Sequence, residues 1–203
     1  MSVKKIYLIR HGQTEFNEQG VVQGRGVDAS LNDLGKSQAE MFYNAYKELP
    51  FETVYTSSLK RSQESVAAFI DDGIPHEIHP GLDEISWGRH EGAKASEERD
   101  RYFRRIVTEW RSGNTARKIG GGESPDDVAL RQKPIIERLV NAPESLILVC
   151  MHGRALKIMV SQMLNKPISE MDDFNHSNLG LYVLHYNGKF ELLKSNNVEH
   201  LQS

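Results

Sequence analysis

"SLILVCMHGR", residues 145–154, decides how the rest of the chain is read. Six apolar residues, Leu146 to Met151, run without a polar interruption and stop at His152-Gly153. A strand with one face in water alternates apolar and polar residues. An unbroken apolar strand is covered on both faces, as in the middle of a parallel sheet. Leu156, Met159, Val160, Met163 and Leu164 follow at helical spacing. The same arrangement opens the chain: "KIYLIRHGQ", residues 5–13, is an apolar strand that ends in His11-Gly12. Ligands of open α/β sheets sit outside the carboxyl ends of the strands. Neighbouring strands would therefore bring two imidazoles to one crevice. Gly12 and Gly153 are read as room for a ligand to approach the backbone, and the helix after Gly153 as a source of N–H groups for an anion.

Outward from these two strands, helix-like and strand-like stretches alternate. Ala39, Phe42, Tyr43, Tyr46 and Leu49 mark a helix that Asn32 is placed to cap. "TVYTSS" (53–58) reads as a strand, and Val66, Phe69 and Ile70 give the next segment an apolar face. "HEIHP" (76–80) is a candidate third strand, with His76 and His79 expected in an exposed loop setting beside Pro75 and Pro80. Tyr102, Phe103, Ile106, Val107 and Trp110 form a helical stripe expected in the core. Residues 124–141 look helical, with Pro134 predicted to break or restart the helix. "LGLYVLHYNGKFELLKS" (179–195) reads as a hairpin around Asn187-Gly188. The order predicts an α/β fold, a three-layer αβα sandwich with a mostly parallel central sheet and helices on both faces. With no repeat or linker, residues 1–203 are expected to form one domain, with an inserted helical and loop region at about 86–122 over the site.

Composition narrows the partners. A formal charge of −3 with no Lys/Arg-rich run does not suggest nucleic acid or an anionic membrane, so any cationic site must be local. Cys150 is the only cysteine, which excludes an internal disulfide and points to a reducing compartment; in "LILVCM" it reads as a core residue. "MSVKKIYLIRHG" has too short an apolar run for a signal peptide or a span, and the expected location is the cytoplasm. The eight histidines form no H-x-x-x-H or Cys/His array, so neither a metal nor another cofactor is expected.

Six ordered blocks then resemble the histidine phosphatase superfamily, the phosphoglycerate-mutase-like proteins. They are "RHGQTEFN" (10–17), "QGRGVDASLNDLGKSQA" (23–39), "VYTSSLKRSQES" (54–65), "LDEISWGRHEG" (82–92), "GGES" (121–124) with Arg131, and "VCMHGRALK" (149–157). The resemblance implies phosphoryl transfer through a covalent intermediate, with His11 as nucleophile. It implies that Arg10 and Arg61 clamp the phosphoryl oxygens, that His152 donates to the same oxygens, and that Glu84 is the proton donor to the leaving group. Asp83 is the alternative acid. Asn17, Gln23, Gly24 and Gly153 carry over as substrate-contacting positions. Glu91, Glu123 and Arg131 are read as residues that fix loops, and His176 as a residue at the pocket rim.

The resemblance covers phosphatases and bisphosphoglycerate-dependent mutases. Only about 28 residues separate Gly92 from "GGES", and Phe16 occupies the place of a tryptophan common in mutases, which favours the phosphatase branch. The expected partner is a small phosphorylated substrate; the sequence carries no reading of oligomeric state. Ser65 stands where a threonine is usual, and Arg154 where many members have a second glycine. A phospho-ligand binding protein is the non-enzyme alternative, which the presence of both histidines and Glu84 disfavours.

Overall fold

The computed structural model describes residues 3–94 and 96–202. A single six-stranded sheet runs through them. Its strands are β1 (Lys4–Arg10), β2 (Thr53–Thr56), β3 (His76–Ile78), β4 (Leu146–Met151), β5 (Leu181–Tyr186) and β6 (Phe190–Asn197), in the spatial order β3-β2-β4-β1-β5-β6. β3, β2, β4 and β1 pair in parallel. β5 is antiparallel to β1 and to β6, so it alone runs against the others. The apolar run of residues 146–151 is central, as its composition requires.

Successive side chains of a strand leave on opposite faces, and the two faces bury separate cores. Ile6, Leu8, Ile147, Val149, Met151, Tyr182 and Leu184 belong to one core, with Ile106, Trp110, Val128, Ile135, Leu139 and Leu156 from the helices on that side. Tyr7, Ile9, Leu148, Cys150, Leu181 and Val183 belong to the other, with Phe42 and Phe69. These helices are α2 (Asp33–Tyr46) and α4 (Ala67–Asp71) on the second face, and α5 (Glu97–Arg111), α6 (Pro125–Asn141) and α7 (Gly153–Met163) on the first; the short helices α1 (Glu15–Glu18) and α3 (Lys60–Glu64) follow β1 and β2. The result is the three-layer αβα arrangement. Truncating a fully buried strand residue such as Leu8 to alanine would cost about 2–5 kcal/mol.

Helix starts follow local chemistry. Asn32 Oδ1 accepts the Gly35 N–H at 2.9 Å and opens α2, and Ser124 and Asp127 cap α6 reciprocally. α6 corrects the expectation at Pro134: the helix runs through it unbroken. The proline is exposed, and the carbonyl that loses its donor belongs to Leu130, a residue 66% exposed. The histidines of "HEIHP" are also not in an exposed loop. His76 lies in β3 with Nε2 2.8 Å from Thr56 Oγ1, and the His79 ring packs on Tyr55 at 4.8 Å.

Candidate active site

The parallel register sets the site. Arg10 pairs with Met151, and the His11 N–H donates to the Met151 carbonyl at 3.0 Å, one step past the end of β1. His11 and His152 therefore leave adjacent strands side by side, with ring centroids 5.1 Å apart. Both are buried, 3% and 0% exposed.

His11 Nδ1 donates to the Gly12 carbonyl at 2.7 Å; a carbonyl can only accept, so the ring proton is on Nδ1. Burial, then the Arg61 and Arg10 guanidiniums, hold His11 well below the usual imidazole range, against the raising effect of the Gly12 bond. The neutral ring thus keeps a bare lone pair on Nε2. The end of β1 is clamped from the far side of the chain: Leu179 N–H donates to Arg10 O and Asn178 Nδ2 to His11 O, each at 3.0 Å. Leu179 holds a left-handed backbone, φ 51°, to do so.

His152 differs. Arg61 Nε donates to its Nδ1 at 3.2 Å, which leaves the ring proton on Nε2, 2.7 Å from Ser57 Oγ. Ser57 Oγ also accepts the Leu59 N–H at 3.1 Å and lies 2.7 Å from Ser62 Oγ, which donates to Leu59 O at 2.8 Å. The bonds run in one direction, from ring to hydroxyl to hydroxyl to backbone. Burial, then Arg61, lowers His152 far below the ordinary histidine value. In this arrangement neither ring nitrogen is turned to a ligand, and the ring's visible task is to hold Arg61.

Arg61 is fully buried, and its guanidinium also donates to the carbonyls of Val27 (2.6 Å) and Gly24 (3.3 Å). Ser65 ties this helix to the loop after His11: its Oγ donates to Arg61 O at 2.6 Å and accepts the Gly12 N–H at 2.9 Å. Arg10 Nη1 donates to His176 Nδ1 (3.2 Å) and to His176 O (2.8 Å). Arg10 Nε is buried and has no hydrogen-bond partner among the described residues. Burial draws the Arg10 guanidinium down to about 10, with Glu84 opposing and Arg61 adding to the shift. His176 falls to about 3, through burial and then the charges of Arg10, Lys157 and Arg154.

Glu84 occupies the start of α7. Its Oε1 accepts the N–H groups of Ala155 (2.9 Å) and Ile85 (2.9 Å), and its Oε2 that of Arg154 (3.1 Å). This corrects the reading of that helix as an open anion site: the protein's own carboxylate has taken it. Asp83, the alternative acid, accepts from Ser58 N and Oγ (2.9 and 2.7 Å) and pairs with Arg25 at 3.4 Å. Arg131 holds the segment carrying Glu84 by donating to Gly81 O (2.8 Å) and Glu84 O (3.0 Å) while paired with Glu123. Glu91 accepts from Trp87 N at 2.9 Å and Ser86 Oγ at 3.1 Å.

The glycines have a second correction to make. A Cβ on Gly12 would lie 2.6 Å from the Gly35 carbonyl, and one on Gly153 3.0 Å from the His176 ring. Protein, not ligand, fills the space their missing side chains leave. Gly24 likewise packs on the Glu91 carboxylate. Asn17 caps α1 with Thr14, its Oδ1 accepting from Thr14 N (3.2 Å) and Asn178 Nδ2 (3.4 Å). Gln23 donates to Thr14 Oγ1 at 2.7 Å, and its buried Oε1 has no partner among the described residues. Arg10, Val22, Gln23, Glu84, Trp87, Phe103, Gly153, Arg154 and His176 line a common cleft. Trp87 and Phe103 of this cleft belong to the 86–122 segment. Ser57, Asn178 and the Arg10-orienting part of His176 escaped the sequence reading, because each acts through contacts with residues distant along the chain. Among the described residues, no cluster of three or more His, Cys, Asp or Glu side chains is placed to hold a metal ion, and no helix is long and apolar enough to cross a membrane.

Two guanidiniums, two neutral imidazoles and a carboxylate gather at the carboxyl end of a mostly parallel sheet. Residues 6–198 match the family model described as the histidine phosphatase superfamily (branch 1), and the chain belongs to that family. It is 31% identical over 169 residues to the "Probable phosphoglycerate mutase GpmB" of Cronobacter sakazakii, covering 80% of this chain and 76% of the relative. Its fold is similar to the alpha-ribazole phosphatase of Shigella flexneri (TM-score 0.83, 22% identity, 95% and 96% of the two chains). It is similar also to a mycobacterial glucosyl-3-phosphoglycerate phosphatase (TM-score 0.84, 21% identity, 97% and 100%).

Proposed function

We propose that this chain is a metal-independent phosphomonoester hydrolase that works through a phosphohistidine on His11. The observation that carries the reading is the His11 ring itself: buried, neutral, its proton fixed on Nδ1 by Gly12 and its Nε2 free. Nε2 attacks phosphorus as the bond to the leaving oxygen breaks. Arg10, through its unpartnered Nε, and Arg61 hold the equatorial oxygens. The arriving dianion reverses the field at Glu84 and His152, favouring a proton on each. Glu84 passes its proton to the leaving oxygen, and a His152 protonated at Nδ1 donates to a phosphoryl oxygen as Arg61 turns toward it. In the second half, Glu84 takes a proton from water, water attacks phosphorus, and the P–N bond returns its electrons to Nε2.

Asn17, Gln23, Gly24 and Gly153 frame the substrate, a small phosphorylated molecule in the cytoplasm. The short segment between Gly92 and Gly121 supports hydrolysis over retention of the phosphoryl group for a mutase cycle, because it leaves less chain to exclude water. The test is phosphate release from p-nitrophenyl phosphate in the presence of chelator, with His11→Ala as control. Release that persists in chelator and vanishes in the variant is the expected outcome; release lost in chelator contradicts the reading. Isomerisation of 3-phosphoglycerate that depends on 2,3-bisphosphoglycerate would replace hydrolase by mutase.

A further inference from the structure

Arg10 Nη1 donates twice to one residue, to the ring Nδ1 of His176 at 3.2 Å and to its carbonyl at 2.8 Å. Nη1 is the guanidinium nitrogen on the Cδ side. The edge that remains is Nε with Nη2, which can place two parallel bonds on one oxyanion. Nε of that edge is buried and has no partner among the described residues. His176 thus takes up the nitrogen that lies outside the side-on clamp, and lines the same cleft as Arg10.

A guanidinium only donates, so His176 Nδ1 accepts and the ring proton is on Nε2. Burial, then the charges of Arg10, Lys157 and Arg154, keep the ring neutral by drawing it to about 3. A neutral acceptor orients Arg10 without cancelling its charge, where a carboxylate in that place would compete with the phosphoryl oxygens. The ring is seated closely: a Cβ on Gly153 would lie 3.0 Å from His176 Nδ1. The chain on either side is held as well. Tyr182 Oη donates to Asn175 O at 2.5 Å, and Asn196 Oδ1 accepts the Ser177 N–H at 2.8 Å. Asn178 Nδ2 donates to His11 O at 3.0 Å, so one short segment fixes both the Arg10 guanidinium and the His11 backbone. We propose, resting on the phosphohydrolase reading, that His176 is a positioning residue: its Nδ1 turns the Nε–Nη2 edge of Arg10 to the phosphoryl oxygens.

His176→Leu removes the acceptor and keeps most of the volume. It should weaken the binding of inorganic phosphate, measured by calorimetry, by about tenfold, and raise KM for p-nitrophenyl phosphate by about as much. The clamp holds the phosphoryl group in ground and transition state alike, so kcat should fall by less than about threefold. Two amide variants then locate the atom that matters. Asn carries its Oδ1 on Cγ, as histidine carries Nδ1, and His176→Asn should return phosphate binding and KM to within about threefold of wild type. Gln reaches out toward the position of Nε2, and His176→Gln should not. In an Arg10→Met background, adding His176→Leu should change kcat/KM by less than about twofold, since nothing is left to position. Rescue by Gln and not by Asn would make His176 a direct ligand contact through Nε2 and overturn the positioning role. Equal losses in all three variants would reduce it to packing and overturn it too. Unchanged phosphate binding in His176→Leu, with wild-type protein that hydrolyses p-nitrophenyl phosphate, would overturn the positioning role and keep the hydrolase. Phosphate binding in the predicted order, with no hydrolysis by the wild type, would overturn the hydrolase reading and keep the positioning role.

Discussion

His11 and His152 stand at the carboxyl ends of neighbouring parallel strands, each followed by glycine, yet the bonds around them differ in kind. His11 spends one nitrogen on the adjacent carbonyl and keeps the other bare. His152 spends both, one on Arg61 and one on Ser57. The loop after His11 is held by side chains of distant segments, Ser65 on the Gly12 N–H and Asn178 on the His11 carbonyl, whereas the helix after His152 begins on the Glu84 carboxylate. Two similar strand ends thus yield one ring with a bare nitrogen and one whose two nitrogens hold Arg61 and Ser57.

Removing each ring in turn breaks this pair most sharply. His11→Ala should lower kcat for p-nitrophenyl phosphate by about 10⁴-fold or more, and His152→Ala by about 10²-fold, because only the first loses the nucleophile. Glu84→Gln separates the acid from the clamp. Turnover of alkyl phosphates should fall by about 10³-fold and that of nitrophenyl phosphate by about tenfold, since a good leaving group needs little protonation. An equal loss on both would remove Glu84 from the role of acid.

The two rings also write a pH signature on stability. Each is held neutral in the folded protein and has an ordinary value of 6.5 when unfolded, so below 6.5 the unfolded chain binds protons that the folded one refuses. Stability therefore falls as pH falls. Between pH 7.5 and 5.5 each ring should remove about 1.4 kcal/mol, read as a lower urea midpoint, beside the loss from His176, which is also drawn down, to about 3. His11→Asn should shrink the total drop by about 1.4 kcal/mol.

Gly12→Ala drives a Cβ against the Gly35 backbone carbonyl and should cost about 2 kcal/mol of stability; Gly153→Ala meets only a side-chain ring and should cost less than about 1 kcal/mol. Ser57→Ala should lower kcat by about tenfold, with a displaced pH profile that Ser57→Thr restores. A loss with an unmoved profile would make Ser57 a packing residue only.

Much of this was legible along the chain. The apolar runs at 6–9 and 146–151 specified buried parallel strands, and Asn32 its helix, because period and capping are local chemistry. Pro134 misled, since an exposed carbonyl tolerates the lost donor. Glu84's hold on α7 joins residues 70 apart, and Ser57's on His152 joins residues 95 apart. No spacing rule reaches that far. Gly12 and Gly153 were legible as places without side chains, but whether protein or ligand takes the space depends on tertiary packing.

The central claim is that the phosphoryl group moves to His11 and not to its neighbour. Incubation with a ³²P-labelled phosphomonoester, rapid quenching and gel analysis measure it directly. The account predicts an alkali-stable, acid-labile label on the wild type and on His152→Ala, and none on His11→Ala. Label that survives in His11→Ala, or that is absent from the wild type while phosphate is released, would contradict it.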